Sequence, residues 1–182
     1  ASVPIINMES ATAHPLQALA DALTLKEKIQ KSKPKIVLSW APHPKALPHA
    51  VANSFIRMIA HQDPDFVITH PEGYELDPRI VGNNKVIYNQ EEALKDADVV
   101  YVKNWCAYND YGKILRTDDA WMLTEKKMKN TRDANFMHCL PIRRNVVVSD
   151  AVIDHPKSLV IEQANNRTYA AQAVLKTLLD HA

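Results

Sequence analysis

The sequence predicts an α/β protein: a doubly wound, mainly parallel sheet of about five strands with helices on both faces. Three observations carry that expectation. Short β-branched runs alternate with helical patterns along nearly the whole 182 residues. The runs are apolar at consecutive positions, as in strands covered on both faces, and do not alternate with polar residues. No internal repeat, low-complexity tract or linker breaks the alternation.

Val3–Asn7 reads as a first strand. Pro15–Lys31 reads as a helix, with Leu16, Leu19, Ala20 and Leu23 at helical spacing and Pro15 suited to the first turn. Lys35–Trp40 is a buried strand, and Pro48–His61 a helix with Val51, Phe55, Met58 and Ile59 on one face. Phe66–Thr69 is a strand followed by a Pro71–Pro78 turn region, Lys85–Tyr88 a short strand, and Glu91–Lys95 a short helix. Asp98–Val102 is a strand with a long irregular exit, Asn104–Leu115. Thr117–Lys129 reads as helical, Ala134–Met137 as a strand, Ser149–Ile153 as a short capped helix and Leu159–Ile161 as the last strand. Asn165–Leu179 closes the chain as an amphipathic helix.

Composition narrows the function. Lys and Arg number 22 against 21 Asp and Glu, a formal net charge of +1, so charge gives no support to nucleic-acid or membrane-surface binding. The three glycines, Gly73, Gly82 and Gly112, form neither a GxGxxG turn nor a Walker A loop, which disfavours a nucleotide-binding Rossmann domain. A phosphate here must be held by side chains and helix ends. Cys106 and Cys139 make no disulfide framework, no run approaches a membrane span, and no signal segment opens the chain, so a cytoplasmic protein is expected. The chain starts at Ala1, without Met and at the edge of an apolar run, and reads as a cut chain.

In parallel sheets ligands bind beyond the carboxyl ends of the strands, so the strand exits are the places to search. They read Asn7-Met8-Glu9 with His14–Gln17 beyond, Pro42-His43-Pro44, His70–Glu75, Lys103-Asn104-Trp105, His138–Asn145, and Glu162–Arg167. That density of His, Arg, Lys and Trp favours a ligand-binding rim over ordinary polar loops. His14 and Gln17 open a helix, where free N–H groups favour an anion or a carbonyl oxygen, and as neutral donors they suit polarising a carbonyl. Arg143 and Arg167 are planar forks suited to phosphate or carboxylate. The set suits transfer of an acyl-like group off a phosphate. Taken singly, His14 also reads as a helix cap, Cys139 as a core thiol, and Lys126–Lys129 as a solvated helix face.

In order, the motifs HPLQALAD (His14–Asp21), HPEGYELD (His70–Asp77), ADVVY (Ala97–Tyr101), HCLP (His138–Pro141) and NR (Asn166–Arg167) resemble the aspartate/ornithine carbamoyltransferase family over nearly the whole chain. The resemblance implies that carbamoyl phosphate is bound by His14, Pro15, Leu16, Gln17, Cys139, Leu140 and Arg167, with His14, Gln17, Cys139 and Arg167 the catalytic group. It implies neither cofactor nor metal, and a homotrimer for the full-length protein. The family's Ser-Thr-Arg-Thr phosphate loop is not in these residues. Residues 1–33 would then be the end of an N-terminal domain with the interdomain helix, 34–162 the amino-acid-binding α/β domain, and 163–182 a helix packing back at the junction. Without the other domain, that helix and the Pro15 helix would cover each other.

The ornithine enzymes carry an aspartate after ADVVY and an SMG triplet beyond it. Here Lys103 takes the first position and the Ala107–Asn109 region the second. A lysine repels a free α-ammonium and holds a carboxylate or amide oxygen, which points to an N-acylated ornithine. KNW (Lys103–Trp105) and HCLPIRRN (His138–Asn145) resemble the branch that uses N-acylated ornithine, and within it Glu9, WAPHP (Trp40–Pro44) and the HPEGYELD segment look most like the N-succinylornithine enzymes. Glu9, His43, Lys103 and Arg143 would contact the acylornithine. Several potential cations for a carboxylated acyl tail and an α-carboxylate rank succinyl ahead of acetyl. The rival is an inert amino-acid-binding fragment, since half of the expected site is missing.

Overall fold

Lys35–Trp40 is apolar at consecutive positions because both faces of the strand are covered. Ile36 and Leu38 join one core with Leu25, Val51, Phe55 and Ile59, whereas Val37 faces a second core with Val67, Leu94, Val100, Phe136 and Val152. Each large side chain so enclosed contributes about 1.5–3 kcal/mol relative to exposure.

The structure, a computed structural model, describes residues 3–181; the outermost residues of the 1–33 and 163–182 segments lie outside it. Strands β1 (Lys35–Trp40), β2 (Asp65–Thr69), β3 (Lys85–Ile87), β4 (Val99–Lys103) and β5 (Asn135–Met137) form one parallel sheet in the order β3-β2-β1-β4-β5. The helices are α1 (Pro15–Lys28), α2 (Ala50–Ile59), α3 (Pro78–Val81), α4 (Gln90–Leu94), α5 (Glu125–Met128), α6 (Asp150–Ile153) and α7 (Val160–Asp180). The chain builds outward from β1 through β2 and β3, then returns to lay β4 on the other side of β1. The strand order therefore reverses between β1 and β4, with Trp40 opposite Lys103 at their carboxyl ends. Such a switch point opens a crevice between diverging loops.

Helix α7 lies along α1. Asn166 Nδ2 donates to Thr24 Oγ1 and to Glu27 Oε2, both at 3.0 Å, and Lys28 pairs with Glu162 at 3.3 Å. These bonds join the first turns of α7 to the second half of α1, and His138 N, at the β5 exit, donates to Gln163 Oε1 on the first turn of α7.

Three expected elements differ. Val3–Asn7 is not a strand: the segment is irregular, with Val3 68% and Ile5 81% exposed, and Pro4 has no N–H to give a neighbouring strand. Leu159–Ile161 is not a strand either. Ser158 makes only an isolated bridge to Phe136, and α7 starts at Val160; a short apolar run does not tell strand from helix. Glu162–Arg167 is consequently the first turns of α7, not a loop after a strand. Within Thr117–Lys129 only Glu125–Met128 is helical, started by Thr124 Oγ1 accepting from Lys127 N. The residues before it are held irregular by Lys127 Nζ, which donates to Gln90 Oε1 at 2.6 Å, Met122 O at 2.9 Å and Ala120 O.

Candidate active site

The floor of the crevice is built from backbone pinned by side chains. Ala41 N donates to Lys103 O at 3.2 Å, and Asn104 Nδ2 donates to Ala41 O at 2.7 Å, so the β1 and β4 exits are tied together. Trp40 Nε1 donates to Trp105 O at 2.8 Å, and Trp105 Nε1 to Tyr74 O at 2.9 Å, which adds the β2 exit loop to the same frame. Both tryptophans are fully buried. Lys103 rises from this frame half-buried, and its ammonium acts on His14, His43, His138 and Cys139. One cation thus joins groups from α1, the β1 exit and the β5 exit.

His14 stands at the start of α1, its backbone N donating to Ser54 Oγ at 2.8 Å. Its side chain does not cap the helix. The ring is buried, and its Nδ1 has no partner among the described residues. Burial holds its pKa below the ordinary histidine value, with Arg167 and Lys103 adding to the effect and Glu9 opposing it. His14 is accordingly a neutral imidazole near neutral pH. Pro15 occupies the first helical position with Leu16 half-buried behind it.

Gln17 departs from its expected role. Its Nε2 donates to Asp21 Oδ1 at 2.8 Å, while the buried Oε1 has no partner among the described residues. The carboxamide therefore presents an acceptor where the sequence reading expected a donor. Asp21 is fully buried and also accepts from Gln163 Nε2 at 2.7 Å. Burial pushes its carboxyl up to about 7, against the opposing hydrogen bonds from Gln17 and Gln163.

The HCLP turn follows β5. His138 N donates to Gln163 Oε1 at 3.0 Å, Leu140 is half-buried, and the Leu140–Pro141 peptide is cis. Burial depresses His138 to about 3, with Lys103 contributing, so this ring is neutral. Cys139 is enclosed near Tyr101 and Asp21, and burial raises its thiol despite the nearby Lys103. It is a neutral thiol and not a thiolate nucleophile.

Two arginines in tandem have different fates. Arg144 is held by Asp150 at 2.8 Å and by Asp154. Arg143 makes no ion pair among the described residues. Its Nε donates to His43 Nε2 at 3.2 Å, and His43 Nδ1 lies 3.0 Å from both the carbonyl oxygen and the amide nitrogen of Lys45. Burial keeps His43 below the ordinary histidine value, and the Arg143 and Lys103 charges deepen that effect.

Glu9 is exposed in the irregular amino-terminal segment but acts on His14. Arg167 is exposed on the second turn of α7 and acts on His14, Asp21 and Cys139. The expected residues from five separate segments are thus gathered at one end of the sheet. Sequence reasoning missed Asp21, Gln163, His138 and Tyr101, which tie the segments together. The available signal was Asp21 one helical turn beyond Gln17 on the same face. Among the described residues no group of three or more His, Cys, Asp or Glu side chains is placed to hold a metal ion.

The family model for the Asp/Orn-binding domain of aspartate/ornithine carbamoyltransferase matches residues 48–178. The N-succinylornithine carbamoyltransferase of Bacteroides fragilis is 52% identical over 180 residues, 98% of this chain and 57% of that protein. The N-acetylornithine carbamoyltransferase of Xanthomonas axonopodis pv. citri is 37% identical over 99% of this chain and 58% of that protein. Among solved structures, a variant of N-acetyl-L-ornithine transcarbamylase complexed with carbamyl phosphate and N-succinyl-L-norvaline superposes with a TM-score of 0.89 at 36% identity. That match covers 97% of this chain and 59% of the other. The chain spans a little over half the length of the curated relatives it matches.

Proposed function

The chain belongs to the aspartate/ornithine carbamoyltransferase family, and from that premise we propose that it supplies the amino-acid-binding half of an N-succinylornithine carbamoyltransferase. The whole enzyme would move the carbamoyl group of carbamoyl phosphate to the δ-amine of N-succinyl-L-ornithine, in arginine biosynthesis, as a cytoplasmic homotrimer. Residues 1–33 would carry the end of the phosphate-binding domain and the interdomain helix, 34–162 the acylornithine domain, and 163–182 the returning helix. The single observation that carries the substrate assignment is the pair of cations at the β4 and β5 exits. Lys103 and Arg143 stand there without a carboxylate partner among the described residues, where an ornithine enzyme carries an aspartate. Two cations suit an anionic acyl tail and an α-carboxylate, and not a free α-ammonium.

In the reaction the neutral δ-amine attacks the carbamoyl carbon. The neutral His14 ring donates to the carbonyl oxygen as charge develops there, and Gln17 Oε1 accepts from the carbamoyl NH2. Arg167 stabilises the departing phosphate, which is a ready acceptor for the amine proton. Cys139 and Leu140 border the carbamoyl group, while Glu9, His43, Lys103 and Arg143 hold the acylornithine. Much of the acceleration comes from fixing two substrates in one orientation. Since the phosphate loop is not in these residues, the chain alone binds without turnover.

Calorimetric titration of this chain and of the whole enzyme with N-succinylornithine, N-acetylornithine and ornithine, with and without carbamoyl phosphate, tests the reading. Selective binding of the succinyl compound, weakened about tenfold or more by Lys103→Ala, is expected. Preference for acetylornithine or free ornithine in the whole enzyme overturns the substrate assignment.

A further inference from the structure

Gln17 has one end tied and the other free. Its Nε2 donates to Asp21 Oδ1, and its buried Oε1 has no partner among the described residues. A carboxamide exchanges its donor and acceptor faces by a half-turn about its last bond, at little steric cost. An unanchored Gln17 would therefore adapt to whichever group faced it. Asp21 prevents the turn, and Asp21 is itself fixed. Gln163 Nε2 donates to the same Oδ1 at 2.7 Å and to the Tyr101 hydroxyl at 3.2 Å, while Gln163 Oε1 accepts from His138 N. Gln17, Asp21, Tyr101 and Gln163 are all buried, so solvent does not replace any of these bonds. Gln163, fixed by His138 N, already donates to Oδ1, and the Asp21 carboxylate offers Gln17 an acceptor and no donor, which holds the Gln17 amide NH2-inward once Asp21 is ionised.

We propose that Asp21 is a positioning residue that sets specificity: it locks the Gln17 carboxamide with its oxygen toward the carbamoyl-phosphate site, so that the site takes an acyl phosphate bearing an N–H donor and rejects the isostere bearing a methyl. The inference rests on the carbamoyl-transfer reading above and deepens it. Acetyl phosphate is that isostere, with the same phosphate and carbonyl and a methyl in place of the amino group. Against the locked Gln17 it leaves a buried acceptor facing a methyl, and a site built to bond a substrate N–H penalises the analogue that lacks it. Asp21→Leu removes the anchor and lets the carboxamide turn. Asp21→Asn keeps an acceptor oxygen in place of Oδ1 and keeps the lock.

The test is made in the whole enzyme, comparing the KM for carbamoyl phosphate with the inhibition constant of acetyl phosphate as a competitor. The preference for carbamoyl phosphate should fall about tenfold to a hundredfold in Asp21→Leu and stay within about threefold of the parent in Asp21→Asn, whatever happens to kcat. An unchanged preference in Asp21→Leu overturns the inference, because a merely structural residue would lower kcat without touching that ratio. Equal loss in Asp21→Asn also overturns it, since the charge and not the acceptor would then be at work. A parent enzyme that turns over carbamoyl phosphate while failing these tests leaves the carbamoyl-transfer reading intact, whereas one with no such turnover overturns both. If Asp21→Leu does not fold, exchange of the Gln17 side-chain amide protons in 15N-labelled parent and Asp21→Asn decides. Slow exchange in both is required, and exchange as fast as an exposed glutamine's overturns the lock.

Discussion

The two ends of the sheet treat polar groups in opposite ways. At the amino end they are paired with one another: Asp98 Oδ2 accepts from Lys31 Nζ and from Lys35 N, both at 2.7 Å, and Lys35 Nζ donates to Lys95 O at 2.6 Å. At the carboxyl end, His14 Nδ1, Gln17 Oε1, Asp21 Oδ2 and His138 Nδ1 are buried without a partner among the described residues. Each buried unpaired group costs about 1–3 kcal/mol. A fold that pairs such groups at one end and leaves them open at the other has divided stability from binding. The amino end closes the sheet, and on the reading proposed above the carboxyl end keeps donors and acceptors for substrate.

Substitutions at the carboxyl end should therefore harm function more than stability. The largest effect is expected for Arg167→Ala. The side chain is exposed and makes no ion pair among the described residues, so the urea midpoint should barely move. Losing charge-assisted bonds to a phosphate dianion should lower kcat/KM for carbamoyl phosphate about a thousandfold. Steady-state kinetics of the whole enzyme beside an unfolding curve reads both numbers, and a matched loss of stability would blur the division between the two ends.

Asp21→Asn comes next and reads the cost of the open end directly. The Asp21 carboxyl is raised from 3.8 to about 7 by burial. Between those values the folded state keeps a proton that the unfolded state releases, so stability falls as pH rises and levels off above pH 7. The asparagine has no such term. Its stability relative to the parent should grow by on the order of 3 kcal/mol from pH 4 to pH 7 and then stay flat. The buried histidines, lowered by burial, act in the opposite sense, losing stability as pH falls below 6.5. Both proteins carry them, so they cancel in the difference measured by urea unfolding across pH.

Much of this division was legible in the sequence, because apolar runs such as Ile36–Leu38 and Val99–Val102 mark strands covered on both faces, and parallel strands put their exits at one end. His43, Lys103, Cys139 and Arg143 could be placed together on that ground alone, whereas His14 was reached through an expected strand, Val3–Asn7, that does not form. The orientation of the Gln17 amide was not legible. It depends on Asp21 and Gln163, and Gln163 belongs to a helix whose first turn reads as a strand in sequence. Nor could Arg143 be told from Arg144. The difference lies in Asp150 and Asp154, which α6 brings round to only one of the two guanidinium groups.

At the amino end the order of effects should reverse, with stability moving and binding unchanged. Asp98→Ala removes a carboxylate that is 14% exposed and accepts from both Lys31 and the first amide of β1. Burial alone would raise this carboxyl, and the bonds from Lys31 and Lys35 outweigh it, so the net pKa lies below the ordinary value. The alanine variant should lose about 1–3 kcal/mol in urea with unchanged affinity for N-succinylornithine.

The smallest effect sharpens the comparison most. Lys33 pairs with Asp63 at 3.4 Å at the same end of the sheet, but the two side chains are 62% and 93% exposed. Nothing there is desolvated, so Lys33→Ala should change stability by less than about 0.5 kcal/mol, and less still in high salt. If Lys33→Ala matched Asp98→Ala, the amino end would owe its strength to charge as such. If Lys33→Ala is silent while Asp98→Ala is not, what counts at that end is a buried acceptor with every partner in place, the same quantity that the carboxyl end leaves incomplete.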